Sequence, residues 1–120
     1  MNWFELTEAG QLEAIRAESH QQPVMIFKHS TRCSISRAVL DRVERNWNTT
    51  GLPGAVKPYF LDLIAYRSVS NQVAAEFDVE HESPQAIVIC QGKPVYAQSH
   101  FGIDLNEIKQ ALPVNGASKN

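Results

Sequence analysis

The stretch FKHSTRCSISRAVL (Phe27–Leu40) holds one cysteine between two segments of different pattern. Before it, PVMIFKH (Pro23–His29) is a short apolar run opened by a proline, which predicts a buried β-strand. After it, apolar residues recur at helical spacing from Ile35 to Trp47, which predicts an α-helix. Cys33 is therefore expected at the N-terminus of a helix that directly follows a core strand.

The position and surroundings of Cys33 favour a reactive thiolate. Free backbone N–H groups and the positive end of the helix dipole point at a residue in this position. No acidic residue occurs between positions 19 and 40, and four basic or titratable side chains adjoin the cysteine: Lys28, His29, Arg32 and Arg37. Most free cysteines are inert and act as small buried hydrophobic residues, but the pattern around Cys33 predicts a nucleophile.

Ser36 stands where a redox dithiol would have its second cysteine. A dithiol can attack a disulfide and then expel the product itself, whereas a monothiol waits in a mixed disulfide for another thiol. The spacing leaves two roles open for Ser36, a hydrogen bond to the sulfur or an ordinary serine in the first helical turn.

The rest of the chain alternates helical and strand patterns, in the order α-β-α-β-α-β-β-α. This order predicts an α/β fold with a mixed four-stranded sheet flanked by helices on both faces. The remaining predicted elements are a helix over Thr7–Ser19 with Leu12 and Ile15 inward, a strand over Tyr59–Ile64, a helix marked by Val69, Val73 and Phe77, a strand over Gln85–Cys90, a strand over Val95–Phe101, and a helix capped by Asp104 with Leu105, Ile108 and Leu112 inward.

The composition is that of one globular domain. The chain has 120 residues, of which 43% are hydrophobic and 20% charged, with a net charge of -2. We expect a domain over residues 1–112 and a flexible tail over residues 113–120. Without a clustered basic excess, neither nucleic acid nor a membrane is an expected partner. The start lacks a signal-peptide pattern, so we expect a cytoplasmic protein with free thiols.

With these elements in place, nearly the whole chain resembles the thioredoxin fold. That family has a redox cysteine at a helix start and a cis-proline just before a later core strand. Here ESPQAIVIC supplies Ser83–Pro84 at that position. The resemblance implies that Pro84 packs near Cys33 and that Ser83 offers backbone hydrogen bonds to an incoming peptide or thiol.

More narrowly, the chain resembles the YtxJ-like family of monothiol bacilliredoxins. The shared features are Asn2–Trp3 near the start, the step His29–Ser30, and the Cys-x-Ile-Ser motif over residues 33–36. The family usually has Thr-Cys-Pro-Ile-Ser, whereas this chain has Arg32 for the threonine and Ser34 for the proline. These departures bear on redox properties and partner preference more than on fold.

This resemblance implies a thiol–disulfide oxidoreductase whose Cys33 removes bacillithiol, or a similar low-molecular-weight thiol, from mixed disulfides on client proteins. That thiol would be a co-substrate rather than a bound cofactor, and Lys28, His29 or Arg32 would hold its carboxylates. The alternative is a non-catalytic thioredoxin-fold binding or stress protein in which Cys33 is only a modification site.

A second sulfur or a metal is not expected at the site. If Pro84 lies beside Cys33, then Cys90 is six residues further along a strand, roughly 20 Å away, and a disulfide needs Cα atoms within about 7 Å. The four histidines do not cluster with the cysteines at metal-site spacing. Related monothiol glutaredoxins share an iron–sulfur cluster, but this chain lacks their Cys-Gly-Phe-Ser sequence, which leaves that option remote.

Overall fold

Five strands form one mixed sheet in a computed structural model that describes residues 1–113. The spatial order is β1-β3-β2-β4-β5, in which β1, β3 and β2 run parallel and β4 and β5 run antiparallel to their neighbours. The strands are β1 (Phe4–Glu5), β2 (Val24–His29), β3 (Lys57–Asp62), β4 (Gln85–Cys90) and β5 (Lys93–Ser99).

In the described part of the chain, four α-helices cover the two faces of the sheet, as the sequence predicts for an α/β fold. They are α1 (Gln11–Glu18), α2 (Ser34–Asn46), α3 (Arg67–Phe77) and α4 (Leu105–Ala111). Short 3₁₀ turns over Trp47–Thr49 and His100–Gly102 follow α2 and β5.

The core has one apolar cluster on each face of the sheet. Residues of α1 and α3 pack with Val24 and Ile26 of β2, whereas residues of α2 and α4 pack with Met25 and Phe27. Consecutive strand residues point to opposite faces, so every residue of β2 is buried. The central strand is therefore a rigid base for the loop that follows it.

Most predicted elements are present, with shifts at their ends. β4 spans the predicted Gln85–Cys90, and Asp104 caps α4 by accepting from the N–H groups of Asn106 and Glu107 at 2.8 and 3.3 Å. The two-residue strand β1 was not predicted, because two residues carry no readable alternation. It pairs in parallel with β3 and makes the sheet five-stranded instead of four-stranded.

The predicted cap of the first helix is wrong. Thr7 lies before the helix, and Gly10 occupies the capping position of α1. The side-chain oxygen of Gln11 accepts from the N–H groups of Thr7 and Glu8 at 2.8 and 3.0 Å. The turn before α1 is therefore held by a glutamine side chain rather than by a threonine cap.

The predicted tail, residues 113–120, lies outside the described residues except for Pro113.

Candidate active site

Cys33 lies at the start of α2, as predicted. Its backbone is extended, with φ -116° and ψ 120°, and it occupies the N-cap position of the helix. The Cys33 carbonyl accepts the first helical hydrogen bond from the Arg37 N–H at 3.2 Å. The residue is half-buried, and its backbone is fixed by the helix.

Ser30 holds the loop between β2 and Cys33 in place through three hydrogen bonds. Its carbonyl accepts from the Cys33 N–H at 3.2 Å, and its hydroxyl accepts from the Arg32 N–H at 3.4 Å. Its own N–H donates to Oγ of Ser36 at 3.1 Å. The loop is therefore tied to itself and to the first turn of α2.

Ser36 is completely buried below the cysteine. Its Oγ lies 2.8 Å from Nδ1 of His29 and accepts the Ser30 N–H. Among the described residues these are its hydrogen-bond partners, and the Cys33 sulfur is not one of them. Ser36 lies in the first turn of α2, as one of the two open roles had it, but its hydroxyl points to His29 and Ser30. Ser36 anchors the cysteine loop to the last residue of β2.

His29 is the inner end of this anchor. Its side chain is 4% exposed, and its ring lies 5.5 Å from that of Phe60. Burial lowers the pKa of His29; the carboxylates of Asp62 and Glu44 oppose this shift and Arg37 adds to it. The ring is therefore neutral near pH 7, which allows Nδ1 and the Ser36 hydroxyl to pair without a buried charge.

Lys28 lies on the other face of the sheet, and this corrects its expected role. Its side chain is 0% exposed, and Nζ donates to the Ser70 carbonyl at 3.2 Å and to Nδ1 of His81 at 3.1 Å. Burial lowers the pKa of Lys28 to about 8. An amino group sealed there cannot hold a carboxylate of a thiol approaching Cys33 from solvent.

Of the three residues expected to hold the thiol's carboxylates, Arg32 alone is exposed. His29 shares the correction made for Lys28, because its ring is buried against Ser36 and Phe60. The adjacent Arg37 is also exposed. The exposed cations that adjoin Cys33 in sequence are thus Arg32, on the loop, and Arg37, in the first turn of α2.

Ser83 and Pro84 lie at the same end of the sheet as Cys33. Their peptide bond is cis, and Pro84 directly precedes Gln85, which pairs with Lys28 near the end of β2. The Ser83 hydroxyl oxygen is buried without a hydrogen-bond partner among the described residues. The Pro84 carbonyl accepts from the His100 N–H at 2.9 Å, which ties the proline to the end of β5.

Cys90 lies at the opposite end of β4 from Pro84. Its neighbour Ile89 pairs with Val24, the first residue of β2, whereas Cys33 follows the last. Cys90 is buried and both cysteines are free, and burial raises the pKa of the Cys90 thiol. The five residue steps from Gln85 to Cys90 correspond to about 17 Å of strand, so Cys90 is remote from the site.

The sequence did not predict the residues that contact this end of the sheet from distant parts of the chain. Ser70 and His81 contact Lys28 across 42 and 53 positions of the chain, and no local pattern signals such contacts. Exposed Phe101 follows His100 beside Pro84. The one available signal was strand alternation, which places Lys28 and His29 on opposite faces.

Within residues 1–113, no group of three His, Cys, Asp or Glu side chains is arranged to hold a metal ion. No helix in the described part of the chain combines the length and apolar character needed to cross a membrane.

Cys33 is a half-buried monothiol at a helix start, at the same end of the sheet as a cis-proline. On this strand order, these features define a thiol redox protein of the thioredoxin-fold class. Comparison with protein families gives the particular family. The chain belongs to the monothiol bacilliredoxin family BrxC, whose family model matches residues 4–108.

Solved structures agree with this fold. One described as a candidate oxidoreductase with a thioredoxin fold is 29% identical, covers 90% of this chain and 91% of its own, and superposes with a TM-score of 0.73. Thioredoxin of Fasciola hepatica is 23% identical over 88% of this chain and 90% of its own, at a TM-score of 0.62. Thioredoxin of Malassezia sympodialis is 14% identical over 92% of this chain and 87% of its own, and it superposes with a TM-score of 0.68.

Proposed function

We propose that this chain removes bacillithiol, or a similar low-molecular-weight thiol, from mixed disulfides on client proteins, with Cys33 as the nucleophile. The observation that carries the proposal is the isolation of this sulfur. Cys33 is half-buried at the start of α2, Ser36 stands in the place of a resolving thiol, and Cys90 lies at the far end of β4. Membership of the monothiol bacilliredoxin family supports it.

The reaction proceeds by two thiol–disulfide exchanges. The Cys33 thiolate attacks the bacillithiol sulfur of the mixed disulfide, and the bond to the client sulfur breaks. The client cysteine leaves as a thiolate and takes a proton from water, while Cys33 becomes disulfide-bonded to bacillithiol. A second low-molecular-weight thiol, as its thiolate, then attacks the bacillithiol sulfur, releases Cys33 and leaves as the mixed disulfide.

The external thiol is required because the site has no second sulfur. Ser36 has a hydroxyl in place of a thiol, so it cannot form a disulfide with Cys33. That hydroxyl is also hydrogen-bonded to His29 and Ser30. A cycle that depends on free thiols needs a reducing compartment, so we place the reaction in the cytoplasm.

The groups around the sulfur suit an anionic thiol attached to a polypeptide. Exposed Arg32 is the proposed partner for a carboxylate of the small thiol. The Ser83 backbone is the proposed docking point for the client chain, with Pro84 shaping the wall beside it. The exposed apolar side chains Ile35 and Phe101 belong to the turn after Cys33 and the segment next to Pro84, where they suit contact with a protein client.

The test uses one client protein prepared with either bacillithiol or glutathione on its cysteine. Wild type should free the client and gain the mass of bacillithiol on Cys33. Cys33→Ser should do neither, and Cys90→Ser should match wild type. Arg32→Ala should raise KM about threefold to tenfold, since an exposed charge-assisted contact contributes roughly 1 kcal/mol; Arg45→Ala, exposed at the other end of α2, is its matched control.

Preference for the glutathionylated client would change the co-substrate and keep the reaction. Release of neither thiol by folded wild type would contradict the proposal and favour the alternative, a binding module whose Cys33 is only a modification site.

A further inference from the structure

A cluster of Lys28, Ser70 and His81 lies on the sheet face opposite Cys33; Lys28 and Ser70 are buried, and His81 is half-buried. The Lys28 ammonium donates to the Ser70 carbonyl at 3.2 Å and to Nδ1 of His81 at 3.1 Å. The Ser70 hydroxyl also lies 3.2 Å from Nδ1 of His81. With no exposed surface on the lysine, these three polar groups are one another's partners.

A lysine in this position is costly to keep. Within residues 1–113 no carboxylate lies within salt-bridge distance of its ammonium, and burying an unpaired charge destabilises a fold. The charged groups that act on His81 are Lys28 and Arg67, which with burial lower its pKa, and Glu82, which opposes them. A neutral His81 keeps Nδ1 free to accept from the ammonium.

The cluster links strand β2, through Lys28, to helix α3 and to the connection that follows α3. Ser70 belongs to α3, whereas His81 lies in the connection from α3 to β4, two residues before Ser83. That connection is held by a second buried side chain, since Gln85 donates to the Glu80 carbonyl at 2.9 Å and accepts from the Glu82 N–H at 3.4 Å. Residues 80–82 are thus fixed from behind the sheet by two strand side chains.

We propose that Lys28 is a positioning residue for client binding: through His81 it holds the segment that presents Ser83 and Pro84 beside Cys33. The inference rests on the proposed function, in which the client chain docks on Ser83. Lys28 touches neither the sulfur nor the client. It acts by fixing where the docking peptide lies, and a misplaced docking group weakens binding before it alters the exchange chemistry.

The experiment compares Lys28→Met with Lys93→Met, which removes an exposed lysine from β5. Methionine fills similar volume but gives His81 no donor. Amide hydrogen exchange of residues 80–83 should accelerate about tenfold in Lys28→Met alone, because local opening becomes easier. KM for the bacillithiolated client should rise about tenfold while kcat changes little. NMR titration should show a raised His81 pKa in the same variant, because a neighbouring cation is gone.

His81→Gln gives a second test, because it alters the loop end of the contact at a partly exposed position. It should reproduce the exchange and KM changes, and it decides the question if Lys28→Met does not fold. A folded Lys28→Met with wild-type exchange at residues 80–83 and wild-type KM would overturn the inference. If wild type releases no thiol from any client, the proposed function fails, while the exchange comparison still decides whether Lys28 fixes the segment.

Discussion

Lys28 links the stability of the fold to pH. Its pKa falls from 10.5 to about 8 on burial. Below pH 8 the group is protonated in both states, so the folded state bears the cost of a buried charge. Between about pH 8 and 10.5 the folded state has released the proton while the unfolded chain retains it. The unfolded state then binds more protons, and this residue's contribution to the free energy of unfolding rises with pH.

Replacing Lys28 by methionine should remove this dependence. We expect the stability of Lys28→Met relative to wild type to fall by about 2 kcal/mol between pH 7 and 10, as wild type loses its buried charge. Urea unfolding across that range measures the difference, and groups common to both proteins cancel in it. Lys93→Met should show a flat difference. A flat difference for Lys28→Met as well would mean that the buried amino group keeps an ordinary pKa.

For single residues, the sequence correctly predicted that Cys33 lies at a helix start, but it misassigned the roles of the basic neighbours. Proximity in the chain grouped Lys28 with His29, although strand geometry sends adjacent side chains to opposite faces. His29 reaches Ser36 and Lys28 reaches His81. The first partner was within the same motif, whereas the second depends on how α3 folds back over the sheet.

For the helices and strands, the first turn of α2 is where one substitution should convert the monothiol site into a dithiol site. Ser36→Cys would place a second sulfur three residues after Cys33, the spacing used by Cys-x-x-Cys motifs. Oxidised Ser36→Cys should lose about 2 Da (two hydrogens) through a disulfide between Cys33 and the new thiol at position 36. It should also release bacillithiol from Cys33 without an added thiol, because the new thiolate can attack the mixed disulfide from within the same molecule.

Mass spectrometry measures both effects, the first on the oxidised variant and the second on the variant carrying bacillithiol on Cys33. The Cys90→Ser change in the same background is the control, and it should leave the new disulfide intact. Persistence of the bacillithiol adduct in Ser36→Cys, with no external thiol present, would show that position 36 cannot reach the sulfur at position 33.

The strands also show which sequence signals predict the ends of an element accurately. β4 matched its prediction because Pro84 and the Gln91–Gly92 turn bound it, and both turn residues have positive φ, at 53° and 77°. β3 and β5 begin two residues earlier than predicted because Pro58 and Pro94 were assigned to loops. Each proline is instead the second residue of its strand, a position near a strand start that tolerates a missing donor.

Over the whole molecule, the order of elements was enough to predict the layered fold, because each amphipathic helix needs a sheet face to cover. The sheet order put Cys33 and Pro84 at one end and Cys90 at the other. The length of β4 was readable from the sequence, so this separation was predictable. The cluster behind the sheet was not, because its members meet only after α3 has packed.

Because the two thiols differ in burial, we expect them to react at different rates in the folded protein and at similar rates in the unfolded protein. Cys33 is half-buried, whereas Cys90 is 5% exposed and burial raises the pKa of its thiol. Iodoacetamide should therefore label Cys33 in the native protein while Cys90 reacts at least about a hundredfold more slowly, through opening of the structure. In urea above the unfolding midpoint both should react at similar rates. Peptide mass mapping at timed intervals measures each site separately, and the Cys90 rate should rise with urea in parallel with the unfolded fraction. Rapid labelling of Cys90 without urea would contradict the separation, because it would require that end of the sheet to be open in the native protein.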